Sequence, residues 1–387
     1  MNPDGSERRA RQGPNDTLPN KEDHTKNGVR EIARLASVSI ATVDRALNDR
    51  KGISERTRAR ILKIADSIGY RPNLAARILS AGPSRIPIGV CIPRQLHPYF
   101  DHLRNGIEDE AARHEHFGVE VLYNLTEALG VHEIEKVSEL IEQGVRLLIV
   151  TPGDPESLQP IIDTAEASNV RVICVDTDAP RSNRSSVVCA DAEVCGKLAA
   201  QLMGNMLPQE SEVAIITGML NVENHRRKAE GFRTLFSKLC TQGQVVEVVE
   251  AHEDEDEAFQ RAFNLLMKYP ALSGIYVNTG NSIPVCKALG ACGRSGKVKL
   301  IGTELSRDMV PYFRKGTIFA TINGRPFAQG QVAVRQAVDY LRRSVPMPKF
   351  RYLAPQIVLD ANLHLFREVQ PVRRAGAPDL AGEDLRR

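Results

Sequence analysis

The 387-residue sequence contains no tryptophan, and aromatic residues make up only 5% of it. It has no apolar run near the ~18–20 residues that a helix needs to cross a bilayer, so a membrane-spanning helical protein is excluded. Its opening stretch, "MNPDGSERRARQGPNDTLPN", has basic residues but no apolar core behind them and does not read as a secretory signal. The chain is therefore expected in the cytoplasm, with no membrane partner. Seven cysteines, at positions 91, 174, 189, 195, 240, 286 and 292, form no C-x-x-C pair and leave an odd total. That spacing speaks against a disulfide framework or a zinc site and predicts small, buried apolar residues. His114 and His116 form an H-x-H that no neighbouring cysteine or carboxylate pattern completes, so no metal is expected. Neither G-x-G-x-x-G nor G-x-x-x-x-G-K-[ST] occurs, and no nucleotide or other cofactor is indicated.

What is present is uneven. Overall the chain is 42% hydrophobic and 26% charged, with a net charge of +3. From Val29 to Gly82 it holds 11 Lys and Arg against 5 Asp and Glu, whereas residues 1–28 balance. Everything after Gly82 is mildly acidic. A small basic module joined to a larger acidic body points to a polyanion partner for the small part, although a solvated basic face gives the same count.

The module shows only helical periods. Ile32, Leu35 and Ala36 line one face of a first helix; Val43, Ala46 and Leu47 line a second. Ile61, Leu62, Ala65 and Ile68 line a third, which Ser54 caps. From Ile86 the pattern changes to short aliphatic strands alternating with amphipathic helices. The strands are "IPIGVCI", "VEVLY", "VRLLIV", "VRVICV", "SVVCA", "EVAIIT", "QVVEVV", "SGIYV", "VKLIG" and "IFATI". Such alternation predicts an α/β fold of parallel sheets covered by helices, and ten strands suit two similar lobes better than one sheet. In such sheets ligands sit at the carboxyl ends of the strands, here between the lobes. The acidic run "HEDEDE", residues 252–257, reads as a solvated helix start, where acids suit the positive end of the dipole.

"VREIARLA", "SVS" and "IATVDRALN" have the dimensions of a helix-turn-helix. Val38 plugs the angle between the helices and Ser39 caps the second. Ile40, Ala41 and Arg45 face outward, where small side chains allow close approach to thymine methyls and an arginine can grip a guanine edge. Period alone fits a three-helix interaction module equally well, with Asp44 and Arg45 merely solvated.

The stretch from Val29 to Gly82 closely resembles the DNA-binding head of the LacI/GalR family of bacterial transcription regulators. That head runs V-x-D-[IV]-A-x-x-A-G-V-S-x-x-T-V-S-R-x-L-N, then V-S-x-x-T-R-x-[RK]-[IV], then L-x-Y-x-P-N-x-x-A-R-x-L. The body resembles the family's effector domain, itself similar to periplasmic sugar-binding proteins of the ribose-binding type. The resemblance implies an N-terminal all-α helix-turn-helix head followed by a two-lobed, doubly wound parallel-sheet domain. Its divisions are a disordered tail at 1–27, the head at 28–71, a hinge helix at 72–82, the effector-binding and dimerisation domain at 83–366 and a flexible tail at 367–387.

It also implies roles. Ile40, Ala41 and Arg45 fall where the family reads bases; Ser39, Thr42 and Asn48 fall where it holds phosphates. Asn73, Ala76 and Leu79 lie on the hinge helix, Leu79 where a leucine wedges into the minor groove. Asp44 replaces the usual serine, which shifts the expected base preference, and Ser37 replaces the usual glycine.

In the cleft, Tyr99 and Phe100 resemble a stacking pair, and His97 stands where an asparagine is common. Asp176 matches a strand-end acid, followed by Thr177 where an arginine is common. Arg226 falls where the second lobe usually binds ligand. Thr279 and Glu304 replace other polar residues, and Asn323 lies beside Gly324, which lacks the usual glutamine. The implied protein is a homodimeric transcription repressor, not an enzyme, that binds operator DNA and a sugar or polyol effector. A sugar-transport receptor and a sugar-processing enzyme are the alternatives.

Overall fold

The computed structural model describes residues 23–47, 52–68, 70, 85–94 and 98–369. The chain divides into two compact units, Met1–Pro83 and Ser84–Arg387. The expected hinge helix, with Asn73, Ala76 and Leu79, lies outside the described residues, as do Asn48 and His97.

In the first unit, α1 (Asp23–Leu35), α2 (Ile40–Leu47) and α3 (Glu55–Ser67) enclose a small core. Ile32, Ala33, Ala36, Val43, Ala46, Ile61 and Ala65 form it, with Val38, Leu47 and Tyr70 packed against it. The first helix begins at Asp23, inside the stretch expected to be a tail. Leu35, Leu62 and Ile68, expected in the core, are exposed. With three helices around so few residues, only the narrow stripe facing both partners is covered, and the edges of each apolar face stay outside. Arg60 of α3 donates from Nη2 to the Ala36 carbonyl (2.7 Å), satisfying one carbonyl at the end of α1.

The turn between α1 and α2 passes through Ser37 at φ 49°, in the left-handed region. A Cβ is strained there and glycine is not. Ser37→Gly is expected to stabilise the head by about 1 kcal/mol, read as slower native-state hydrogen exchange of the Val43 and Ile61 amides.

The second unit has two six-stranded sheets. In the first lobe β1 (Ile86–Cys91), β2 (Val119–Tyr123), β3 (Leu147–Val150), β4 (Arg171–Val175) and β5 (Ser186–Ala190) are joined by β11 (Phe350–Leu353), in the order β11-β5-β4-β3-β1-β2. In the second, β6 (Glu212–Thr217), β7 (Gln244–Glu250), β8 (Leu272–Val277), β9 (Lys299–Thr303) and β10 (Ile318–Asn323) are joined by β12 (Gln356–Val358), in the order β12-β10-β9-β8-β6-β7. The two orders correspond strand for strand, and only the direction of the last edge strand differs. All ten strands foreseen in the sequence are present; β11 and β12 are additional. Every pairing is parallel except that of β12 with β10. The chain changes lobes after β5, after β10 and between β11 and β12.

The helices of this unit are α4 (Pro98–Arg113), α5 (Glu133–Glu142), α6 (Pro155–Ala167), α7 (Ala192–Met206), α8 (Glu223–Leu239), α9 (Glu255–Lys268), α10 (Ser282–Ala291), α11 (Val310–Arg314) and α12 (Pro326–Arg343). The aliphatic runs of β1, β3, β4 and β5 are buried on both faces, as helices on either side require. Six of the seven cysteines are buried and all are unbridged.

Each lobe brings one helix pair into backbone contact through glycine. A Cβ on Gly106 of α4 would lie 2.0 Å from the Phe327 carbonyl oxygen of α12, and one on Gly330 would lie 2.3 Å from that of Leu103. In the second lobe Gly196 of α7 and Gly231 of α8 stand in the same relation. Because the obstacle is backbone, Gly106→Ala must push the helices apart and is expected to cost about 1–3 kcal/mol in urea unfolding.

At the C-terminal side the packed structure runs on to Val369, three residues into the expected tail. Arg367 lies over the Phe327 ring (3.8 Å to the centroid), and Glu368 accepts from Asn323. Residues 370–387 are outside the described part.

Candidate functional site

In the head, the sequence of α2 sorts its side chains by helical phase. Val43 and Ala46 point into the core; Ile40, Ala41 and Arg45 are turned away from it. Ser39 accepts from the Thr42 amide at Oγ (3.1 Å), capping the helix, and its hydroxyl meets Thr42 Oγ1 at 2.8 Å. The hydroxyls assigned to phosphate contact thus also build the helix start. Asp44 is half-buried beside this face. Arg30 and Arg34 line the groove that runs past Ser37 and Ser39 to Ile40. The outer face of α2 carries Ile40, Ala41 and Arg45, with Arg30 and Arg34 beside it, Arg34 paired with Glu31 (2.6 Å).

In the second unit polar groups gather at the carboxyl ends of the strands. Asp176 directly follows β4 and Glu304 directly follows β9, the equivalent strand of the other lobe. Both have φ 69°. Each donates its backbone N–H to the neighbouring strand, Asp176 to Val188 O (3.0 Å) and Glu304 to Ile322 O (3.2 Å). The same strained turn, used twice, presents a carboxylate from each lobe.

Tyr99 donates from its hydroxyl to Asp176 Oδ1 (2.7 Å) and accepts from Gln329 Nε2 (2.9 Å). Asn224 of α8 donates from Nδ2 to the same Oδ1 (3.1 Å) and to the Asp176 carbonyl (3.2 Å), joining the two lobes. Asp176 is half-buried, and burial desolvates its carboxyl. That desolvation holds it above the usual carboxylate range, with the Lys228 ammonium and the Tyr99 hydroxyl pulling the other way. Burial, and then the Asp176 charge, push the Tyr99 phenol well above its ordinary value.

Several expected roles change here. Tyr99 and Phe100 are enclosed in the first-lobe core, and Tyr99 reaches the cleft through its hydroxyl and not as an exposed stacking face. Arg226 is turned outward: Nη1 donates to Glu230 (2.8 Å) and Nη2 to Glu223 (2.5 Å), both on its own helix. Those hydrogen bonds raise its basicity further.

The residues that α8 buries are, in its first turns, Asn224, His225 and Lys228. Lys228 Nζ donates to the Asn278 carbonyl (3.2 Å), and Asn278 Nδ2 donates to the His225 carbonyl (3.0 Å). Thr279 is buried, and its hydroxyl has no hydrogen-bond partner. Asn323 is occupied: Oδ1 accepts from the Arg325 amide (3.0 Å), and Nδ2 donates to Glu368 (3.2 Å). Of the acidic run, Asp254 accepts from the Glu257 amide (2.7 Å) and caps α9, as expected of a helix start. Glu253, at φ 59°, is instead buried against His225 and Gly218.

Buried polar atoms without a hydrogen-bond partner concentrate in the same place. In the second lobe they include Thr217 Oγ1 at the end of β6, Asn278 Oδ1 and Thr279 Oγ1 just after β8, and Asn224 Oδ1 at the start of α8. An unpartnered buried polar group costs about 1–3 kcal/mol, and the group of them at the strand ends is what makes this region the candidate ligand site. Among the described residues, no group of three His, Cys, Asp or Glu side chains is placed to hold a metal ion, and no helix is long and apolar enough to cross a membrane.

Comparison with known proteins agrees with both halves. Residues 29–73 match the model of bacterial regulatory proteins of the lacI family, and residues 88–344 match that of the periplasmic binding protein domain. The ribose operon repressor of Bacillus subtilis (strain 168) is 25% identical over 323 residues, covering 81% of this chain and 92% of its own. The ribose import binding protein RbsB of the same strain is 26% identical over 271 residues, covering 70% and 86%. Among solved structures, an ABC transporter solute binding protein from Burkholderia graminis C4D1M, in complex with D-arabinose, superimposes with a TM-score of 0.69. It is 23% identical and covers 74% of this chain and 99% of its own, a likeness that speaks to the fold. The chain belongs to the periplasmic binding protein domain family, preceded here by the DNA-binding domain of the lacI family of bacterial regulators.

Proposed function

We propose that the protein is a cytoplasmic, homodimeric transcription repressor whose operator affinity is set by a small hydroxylated metabolite held between the two lobes. The observation that carries this reading is the outward Ile40–Ala41–Arg45 face of α2 within the segment that matches the lacI family. Ile40 and Ala41 approach thymine methyls, Arg45 takes a guanine edge, and Ser39 and Thr42 hold phosphates. Asp44 orients Arg45 or accepts from a cytosine amino group. Asn48, Asn73, Ala76 and Leu79 complete the interface, the last as a minor-groove wedge.

In the cleft, Asp176, Glu304 and Thr279 bind the effector with Tyr99 in support, and Lys228 takes the part first assigned to Arg226. His97, which follows β1 in the sequence, joins them. The solute-binding relatives share this fold, and a sugar or polyol is the class the cleft suits. A transport receptor uses the cleft alone, whereas this chain also carries a head. Selection from random duplexes tests the proposal. A two-fold symmetric motif, as a dimer requires, is the expected result, and duplex binding without sequence preference refutes it.

A further inference from the structure

Helix α8 starts without a cap of its own. Val222 stands at its N-cap and offers no side-chain acceptor, so the free amides of the first turn have to be met from elsewhere. One is met from the other lobe: Asn224 donates its backbone N–H to Oγ1 of Thr177 (3.3 Å), just beyond β4. The Asn224 side chain makes the same crossing, with Nδ2 shared between Asp176 Oδ1 (3.1 Å) and the Asp176 carbonyl (3.2 Å). Both atoms it faces are acceptors, which fixes the amide this way round, although Asn224 Oδ1 is then buried with no partner.

The neighbours of Asn224 cross at the same place. Met219, in the loop before α8, packs against the first-lobe core, and the Arg227 guanidinium lies against the Tyr352 hydroxyl of β11. Beside this crossing are the ends of β6 and β8, where Thr217, Asn278, Thr279, Asn281 and Ser282 are buried, each with a polar atom unpartnered. These groups donate and accept alike. Helix α8 is tied to them through Lys228 Nζ on the Asn278 carbonyl (3.2 Å) and through Asn278 Nδ2 on the His225 carbonyl (3.0 Å).

We propose that Asn224 and Thr177 form a clasp between the lobes, made of protein groups alone, whose opening exposes the strand ends of the second lobe. Resting on the effector-cleft reading above, the clasp is the gate of that cleft. The bonds to Asp176 and Thr177 all rest on Asn224, so one residue decides whether the start of α8 stays on the first lobe. Met219 and Arg227 follow it, because they lie on the same stretch of chain.

Hydrogen exchange of the full chain in buffer alone, read by mass spectrometry, tests the clasp. Asn224→Asp removes the side-chain donor and sets a carboxylate against Asp176. It does not weaken α8 itself, because an acid in the first turn suits the helix dipole. Exchange over residues 219–227 and 278–282 is expected to quicken about tenfold or more, with the core of β6 and β8 unchanged. Thr177→Val, which removes only the capping acceptor, is expected to act in the same direction more weakly, and it reads the same segments should Asn224→Asp not fold. Combining Asp176→Asn with Asn224→Asp reverses donor and acceptor, and the Tyr99 hydroxyl can turn to accept from the new amide. Exchange in this exchanged pair is expected to return towards the wild-type rate. Unchanged exchange in Asn224→Asp overturns the clasp. So does a rise that spreads equally over β6 and β8 and is not reversed in the exchanged pair, which makes Asn224 a residue of the fold alone. The measurement contains no effector, so its failure leaves the effector reading to its own tests.

Discussion

Asp176→Asn is expected to weaken effector binding about 10- to 100-fold, the worth of a charge-assisted hydrogen bond, without lowering the melting temperature of the free protein. The two outcomes have one cause. On the proposed effector reading the Asp176 carboxyl stands where a ligand bonds, and burial holds it above the usual carboxylate range. Asparagine keeps the shape, still accepts from the Tyr99 hydroxyl, and tolerates the left-handed backbone at φ 69°.

The sign of the pH dependence follows. A group bound more tightly to its proton in the folded state contributes stability that is complete at low pH. That stability is lost as pH rises through the folded value. The wild type should therefore fall behind the asparagine variant as pH climbs out of the acid range, with the difference vanishing in acid. Thermal melts at two pH values, with titration of a bound ligand, read both effects. A variant that is less stable at neutral pH and binds normally makes Asp176 a structural residue.

Arg45→Ala is expected to cost about 1–3 kcal/mol of specific operator binding and to relax the sequence preference at one position of each half-site. The residue lies on the outer side of α2, away from the head core, so the fold has no stake in it. The salt dependence of binding distinguishes the two roles open to an arginine. If Arg45 grips a base, its removal leaves the slope for random DNA unchanged. If it neutralises a phosphate, its removal lowers that slope by about one for every sequence. Equal affinity of variant and wild type for the selected duplex removes Arg45 from the interface. The same assay on Asp44→Ser reports whether the acid tunes base preference: a change of preferred base is expected, with affinity of the same order.

Much of this architecture was legible in the residues, for reasons that can be named. Strands β1 to β10 are mostly aliphatic runs between turns and polar residues, so composition alone marks them. β11 and β12 are only a few residues long, and their solvent-facing side chains are polar or aromatic, so they carry no such mark. They are strands because the chain must return between the lobes. In the head, the alternation of outward Ile40, Ala41 and Arg45 with inward Val43 and Ala46 is a period that can be read directly. The edges of the core could not be read, because Leu35 and Leu62 are as apolar as their buried neighbours.

In the cleft, "ENHRRKAEGF" offers three consecutive cations, and the resemblance points to Arg226. Helical phase puts Lys228, four residues from Asn224 and three from Gly231, on the buried face of the helix, whereas Arg226 is half-exposed and bonded to Glu223 and Glu230. That spacing is present in the sequence and is the signal that singles out Lys228. Glu253 had no such signal. An acid within an acidic run looks solvated, and only the left-handed turns at His252 and Glu253 aim it inward.

Coupling between cleft and head is what would make this protein a regulator. Operator affinity of the full chain, measured by fluorescence anisotropy on the selected duplex, should change with any ligand that raises the melting temperature of the wild type but not of Asp176→Asn. The expected change is about 5- to 150-fold, and the duplex should alter ligand affinity by the same factor. An operator affinity identical with and without such a ligand contradicts ligand control of DNA binding.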